Sequence, residues 1–227
     1  MNFAVVTGAG RGVGRSVALA LADRGLDVAL VGLHVESLEE VAAQVKGRGR
    51  RTRTVVTDVS KGADVDAMAK DVLGAWGAPT VVVNNAGIVH REKLATLRDE
   101  DWDRVVDVNL RGTFLVTRRF LGPMLEAKRG RFVALGSISS TLGTPGIASY
   151  CAAKWGVVGF AKALAEELRG TGLQSLAVLP GSIDTDMLRG SGYAPAMTPD
   201  DVARLVTYAS LDAPDAMNGS AVEMFGP

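Results

Sequence analysis

Short, uniformly apolar, β-branched runs alternate with longer segments of helical periodicity along the whole chain. Asn2–Val6, Asp27–Gly32, Thr52–Thr57, Thr80–Asn84, Arg131–Leu135 and Leu173–Leu179 read as buried strands. Strands covered on both faces lose the apolar/polar alternation of half-exposed ones. Between them, Gly12–Gly25, Ser37–Lys46, Ala63–Trp76, Asp99–Lys128 and Ser149–Arg169 repeat their apolar residues at three- and four-residue spacings and predict helices. A last helix near Pro199–Leu211 is followed by a seventh strand near Ser220–Phe225. Ser37 with Glu40 reads as a capping box that opens the second helix. Regular alternation of this kind implies right-handed crossovers and a parallel sheet with helices on both faces.

The fold class is therefore α/β, a doubly wound, Rossmann-type parallel sheet of seven strands. No linker, repeat or low-complexity tract divides the sequence, so residues 1–227 are expected to form a single domain. The loosest stretch, Arg189–Met197, is rich in Gly, Ala, Ser and Pro and marks a flap near residues 186–198. Hydrophobic residues at 47% leave ample material for a core, and a formal charge of zero argues against a generic binder of nucleic acid or anionic membrane. One cysteine, Cys151, excludes an intramolecular disulfide and suits a reducing compartment; packing is its expected role. The apolar start Phe3–Val6 is far too short for a signal-peptide core, and no run approaches membrane-spanning length. The expectation is a cytoplasmic protein with neither nucleic-acid nor membrane partners. Two scattered histidines and one cysteine offer no metal site.

Chemistry concentrates at a few places. Tyr150 and Lys154 are four residues apart on a predicted helix, hence on one face, with Ser137 thirteen residues upstream. An ammonium beside a phenol favours phenolate and lowers its pKa toward a working range. Taken alone, the pair is more often a surface Tyr/Lys couple. Upstream, the first predicted strand runs straight into Thr7-Gly-Ala-Gly-Arg-Gly-Val-Gly14 and then a helix. Glycines there allow a tight turn and bring backbone N–H groups to a phosphate. The spacing is TGxxxGxG on Gly8, Gly12 and Gly14, not GxGxxG, with Gly10, Arg11 and Val13 inside the loop. At the end of the second strand, where an acid would bond a ribose 2′-hydroxyl, the chain offers Leu33 and His34. Glu36 is the nearest carboxylate, and it flanks the Ser37 cap. Arg11 either pairs with a 2′-phosphate or is solvated, so NADP(H) is favoured over NAD(H).

With the glycine loop, serine, tyrosine and lysine in this order, the chain resembles the short-chain dehydrogenase/reductase family in its compact single-domain branch. The resemblance covers essentially the whole length. Asp58-Val59 resembles the family's adenine-contacting pair, and Asn84-Asn85-Ala86-Gly87 its NNAG signature. Asn109 matches the asparagine of its catalytic tetrad. Pro180-Gly181-Ser182-Ile183-Asp184-Thr185 resembles the segment that holds the nicotinamide carboxamide, through Ile183 and Thr185. The larger epimerase-like members also carry YxxxK, but with another glycine spacing and a sizeable C-terminal domain.

The resemblance implies a catalytic set of Asn109, Ser137, Tyr150 and Lys154. Tyr150 is its general acid/base, Ser137 orients the substrate oxygen, Lys154 holds the nicotinamide ribose, and Asn109 holds a proton-relaying water. The expected activity is NADPH-dependent reduction of a small-molecule ketone or 3-oxoacyl thioester. The alternatives are an NAD-dependent dehydrogenase of a secondary alcohol, sugar or steroid, and a non-catalytic cofactor-binding regulator. A homotetramer or homodimer through the two longest helices is also implied. Other features stay open. Lys46, Arg48, Arg50, Arg51 and Arg53 read as a solvated patch away from the cofactor, and Lys128, Arg129 and Arg131 as helix-end charges or a dock for an acidic carrier protein. His90 and Arg91 read as a solvent-facing loop or a substrate contact. Met187 and Leu188 either line the pocket or start the flap.

Overall fold

The structure is a computed structural model and describes residues 2–226. Seven parallel strands form one sheet: β1 (Phe3–Thr7), β2 (Asp27–Gly32), β3 (Thr52–Val56), β4 (Val81–Asn84), β5 (Gly130–Leu135), β6 (Leu173–Pro180) and β7 (Ala221–Met224), in the spatial order β3-β2-β1-β4-β5-β6-β7. The winding reverses between β1 and β4, and their carboxyl ends open a crevice there. The helices are α1 (Gly12–Asp23), α2 (Val35–Gly47), α3 (Gly62–Trp76), α4 (Asp99–Val106), α5 (Gly112–Ala127), α6 (Ala148–Glu167) and α7 (Pro199–Leu211).

Why the strands are uniformly apolar is visible in β1. Ala4 and Val6 pack into the core beneath α1, α2 and α7, while Phe3 and Val5 pack into the opposite core with α3 and α5. Successive side chains alternate faces, and both faces are dry. β2 and β4 repeat this, with Val28, Leu30, Val81 and Val83 on one side and Ala29, Val31 and Val82 on the other.

Four expectations needed correction. The segment from β3 is not a buried strand: it is an edge strand, half-buried throughout, with Val56 exposed. Edge position, not composition, decides its burial. Ser37 does not cap α2. The helix begins at Val35 with His34 as N-cap, so Ser37 lies inside the first turn and its hydroxyl donates back to the His34 carbonyl (3.0 Å). Capping boxes occur instead at Ser137/Ser140 and Thr198/Asp201. The long helix expected over 99–128 is two helices joined by a single π-turn at Asp107–Arg111, and Lys128 closes it in a left-handed conformation (φ 52°). The basic patch between α2 and β3 is not merely solvated. Arg48 pairs with Asp23 (2.8 Å), Arg51 with Asp27 (2.7 Å) and Arg53 with Asp71. Arg131 bonds the Ala209 and Ala213 carbonyls at the end of α7.

Candidate active site

An open cleft of about 1660 Å³ runs along the carboxyl ends of β1, β2, β4, β5 and β6. That exceeds the ~300–1000 Å³ typical of one small ligand. Its walls bring together Gly8, Gly10, Arg11, Gly12, Val13, Gly14, Leu33, His34, Asp58, Val59, Asn85, Ala86, Gly87, Ser137, Tyr150, Lys154, Pro180, Gly181, Ile183 and Thr185, which the sequence scatters over 178 positions. Asn109 lies behind the wall, fully buried.

At the β1–α1 turn, two glycines adopt left-handed backbone, Gly8 (φ 65°) and Gly12 (φ 51°). A Cβ on Gly14 would lie 2.1 Å from the Gly8 carbonyl oxygen, so no other residue fits there. The start of α1 thus presents bare backbone to the cleft, an arrangement suited to a phosphate. The loop is braced from β4. The Thr7 hydroxyl accepts the N–H groups of Asn85 and Ala86 (both 3.0 Å) and donates to the Val83 carbonyl (3.3 Å). The Asn85 amide donates to the carbonyls of Thr7 (2.8 Å) and Gly8 (3.2 Å). Asn85 therefore fixes the glycine loop. Thr7, which opens the TGxxxGxG pattern, braces this end, and Ser37, whose sequence signal is that of a helix cap, also belongs to it. A Cβ on Gly10 would lie 2.4 Å from the Ser37 hydroxyl.

Leu33 is exposed at the end of β2 and His34 follows it, with no carboxylate between them. Arg11 is not free: it pairs with Asp186 (3.3 Å) across the cleft mouth, both side chains being largely exposed. Asp58 accepts bonds from Ser60 and pairs with Lys61 (3.7 Å). Burial raises its pKa, but Ser60 and Lys61 together hold the carboxyl below its usual value. Val59 packs against Gly112, where a Cβ would sit 2.9 Å from its methyl.

At the inner end, Ser137 follows β5 and Tyr150 and Lys154 share a face of α6, all three buried. The Ser137 hydroxyl accepts the Ser139 N–H (3.1 Å), and its backbone N–H is held by the Ser140 hydroxyl (3.2 Å). Lys154 donates to the Leu135 carbonyl (2.6 Å), and its Nζ lies 5.6 Å from the Tyr150 ring centre. Burial lowers Lys154 to about 8. Tyr150 departs from expectation. Burial pushes its phenol up to about 12, and the hydrogen bond with Ser137 and the charge of Arg91 only partly offset this. Desolvation of the phenolate outweighs the neighbouring charges here.

The π-turn places Asn109 opposite this pair. Its amide nitrogen donates to the Ile88 and Val105 carbonyls (both 2.8 Å), leaving Oδ1 buried without a partner. A Cβ on Gly87 would lie 2.6 Å from that oxygen and 3.6 Å from the Lys154 ammonium. Oδ1 and the lysine thus flank the same small space, and π-turns often mark such functional distortions.

After β6, Gly181 donates its N–H to the Met224 carbonyl (2.8 Å), and Ile183 bridges to Met197. The Thr185 methyl comes within 3.3 Å of a Cβ position on Gly12. The intervening loop carries a 3₁₀ turn at Asp186–Leu188, and both Met187 and Leu188 line the cleft. Arg91 also lines it and donates to the Met187 carbonyl (2.6 Å), whereas His90 faces Asp101 (3.9 Å). Among the described residues no group of acids, histidines and cysteine is arranged to hold a metal, and no helix is long and apolar enough to cross a membrane.

The chain is similar to known proteins in sequence and fold. Residues 2–194 match the family model of the short chain dehydrogenases. The 3-oxoacyl-[acyl-carrier-protein] reductase FabG of Staphylococcus epidermidis is 40% identical over 185 residues, covering 81% of this chain and 76% of the relative. A 3-oxoacyl-[acyl-carrier-protein] reductase of Synechocystis is 36% identical over 221 residues, covering 93% and 90%. Among solved structures, levodione reductase superposes with a TM-score of 0.94 at 29% identity, covering 99% of this chain and 96% of that one. A short-chain alcohol dehydrogenase from Sinorhizobium meliloti, so described by its crystal structure, superposes with a TM-score of 0.93 at 28% identity, covering 99% and 95%. The chain belongs to the short-chain dehydrogenases, oxidoreductases that act on the CH–OH/C=O pair with a nicotinamide cofactor.

Proposed function

We propose that this chain is an NADPH-dependent reductase of a ketone or 3-oxoacyl thioester, with Tyr150 as general acid. The observation that carries this reading is the convergence of Ser137, Tyr150 and Lys154 on one cleft with the bare glycine loop, backed by the orphaned oxygen of Asn109. The curated relatives named as 3-oxoacyl reductases support the substrate class.

The residues present fit a dinucleotide. Gly8, Gly10, Gly12, Val13 and Gly14 would take its pyrophosphate and Arg11 a 2′-phosphate. Leu33 and His34 would border the adenosine ribose, and Asp58 and Val59 the adenine. Ala86, Gly87, Tyr150 and Lys154 would hold the nicotinamide ribose, with Pro180, Gly181, Ile183 and Thr185 against the nicotinamide. When bound, the cofactor supplies the hydride.

The protein's own groups do the rest. A phenol held protonated up to about 12 is in the acid form that reduction requires. Tyr150 donates its proton to the carbonyl oxygen as that oxygen gains charge. Ser137 accepts a backbone N–H and hydrogen-bonds Tyr150, so its own proton turns to the substrate oxygen when that oxygen enters between them, and stabilises it. Lys154, lowered to about 8, can give up a proton near neutrality and restore the phenol. The unpartnered Asn109 Oδ1 supplies the acceptor that a relaying water needs beside it. The loop over 186–198 acts as the flap over the substrate. Exposed Phe114 and Trp155 on α5 and α6 support a homotetramer or homodimer through these helices, measurable by light scattering.

Fluorescence titration with NADPH and NADH, followed by cofactor oxidation over ketones, 3-oxoacyl thioesters and sugars, tests the reading. Preferential NADPH binding with turnover of a ketone or thioester is expected. A second reading, an NAD-dependent alcohol dehydrogenase, draws on the engagement of Arg11 by Asp186. Clear preference for NADH would select it.

A further inference from the structure

Three loops frame the substrate end of the cleft: residues 88–93 after β4, 141–147 before α6, and 186–198 after β6. Two hydrogen bonds tie them together. Glu92 donates its N–H to the Gly146 carbonyl (2.8 Å), and Arg91 donates through Nη2 to the Met187 carbonyl (2.6 Å). Val89, Ile138, Leu142, Ile147 and Met187 give this end apolar wall, of which Leu142 and Met187 are exposed, while Glu92, Lys93, Arg104 and Asp186 line it as charged groups.

Within this frame Arg91 stands without an ion pair. Neighbouring carboxylates are engaged by other groups. Glu92 accepts from the Lys93 N–H (2.9 Å) and the Thr96 hydroxyl (2.5 Å). Asp186 is shared between Arg11 (3.3 Å) and Arg189 (3.1 Å). Asp101 takes Arg98 (2.7 Å) on the outer side. Among the described residues Arg91 forms no ion pair, and one carbonyl uses only one of the five N–H donors of a guanidinium. The position is nevertheless close enough to the reacting group for the Arg91 charge to act on the Tyr150 phenol. An unpaired guanidinium beside apolar walls is a fork for an oxyanion, which it binds with two parallel hydrogen bonds.

We propose that Arg91 anchors the substrate, and that the carbonyl compound reduced here carries a carboxylate, held by Arg91 while the carbonyl lies at Tyr150 and Ser137. The substrate class is thus an oxo acid with an apolar body. This deepens the ketone arm of the reductase reading, against the thioester arm, and rests on it. The guanidinium is also the link from substrate to flap, because the group that would grip the carboxylate already holds the Met187 carbonyl.

The test uses the purified protein with saturating NADPH and two matched substrates, a 3-oxo acid such as 3-oxohexanoate and its neutral methyl ester. Wild-type kcat/KM should favour the acid by about tenfold or more, expressed in KM. Arg91→Ala should bring the acid-to-ester ratio to about one, and Arg91→Lys should recover part of it. Calorimetric binding of the 3-oxo acid to the protein–NADP⁺ complex gives a readout independent of turnover, with affinity lost in Arg91→Ala and partly kept in Arg91→Lys. An ester reduced as well as the acid by the wild type overturns the proposal, as does an unchanged ratio in Arg91→Ala or equal carboxylate binding by both proteins. Arg91-dependent carboxylate binding without reduction of any carbonyl would sink the reductase reading and leave the anchor standing.

Discussion

The two ends of the cleft are built on opposite principles. At the β1–α1 turn, backbone packs on backbone. Gly14 lies against the Gly8 carbonyl, Asn85 bonds that same carbonyl, and Thr7 stitches β1 to β4. At the substrate end, three loops meet through two hydrogen bonds, and Leu142 (51%) and Met187 (39%) remain open to solvent. The first end is over-determined by its backbone. The second is set by interchangeable side chains, the part of a scaffold that varies most readily.

The sharpest way to break this contrast is a matched pair of glycine substitutions. Gly14→Ala places a methyl 2.1 Å from a carbonyl oxygen and 2.5 Å from the Asn85 amide, neither of which can yield. It should cost about 1–3 kcal/mol or more and abolish cofactor binding, read by thermal melting and fluorescence titration. Gly143→Ala, in the 141–147 loop, meets nothing within 4 Å and should change stability by less than about 0.5 kcal/mol. Equal effects at the two sites would erase the distinction.

Next in size is the pH response of the buried lysine. The folded ammonium is lowered to about 8 by burial, against 10.5 for a free lysine. Between those values unfolding takes up a proton, so the contribution of Lys154 becomes more favourable as pH rises from 8 to 10.5. Relative to Lys154→Met, the wild type should gain on the order of 3 kcal/mol across that window, measured by denaturant unfolding. A gap between the two proteins that does not move with pH would place the lysine proton elsewhere. A smaller effect is expected at Arg11. Arg11→Ala should weaken NADPH about tenfold while leaving NADH within about twofold, by titration with both. Smallest, Leu142→Ala should alter kcat/KM among carbonyl substrates a few-fold and leave cofactor affinity untouched.

The contrast also explains what could be read from the chain. The seven strands, their parallel order and the glycine loop were legible because they follow from backbone rules: apolar runs of fixed length, and glycines where the turn admits no Cβ. The π-turn at Asp107–Arg111 was not, since no residue in Asp-Val-Asn-Leu-Arg marks it. It lies where α4 and the turn itself pack against α6 and where Gly112 meets Val59, a tertiary circumstance. The capping box read at Ser37 failed for a related reason: the helix starts at Val35, and Ser37 serves the glycine loop instead. Burial reversed the expected direction at Tyr150, because spacing places the lysine on the same face but says nothing of how dry that face is. The lone charge of Arg91 was equally invisible, since the nearby acids choose their partners only in the fold.

The central claim is that Tyr150 is the proton donor in a cleft whose cofactor end is built independently of it. Tyr150→Phe, measured for turnover and NADPH affinity in one preparation, tests it most directly. The account predicts a fall in kcat of about 10²–10⁴-fold with the cofactor dissociation constant essentially unchanged. Full turnover in the folded Phe variant would contradict it.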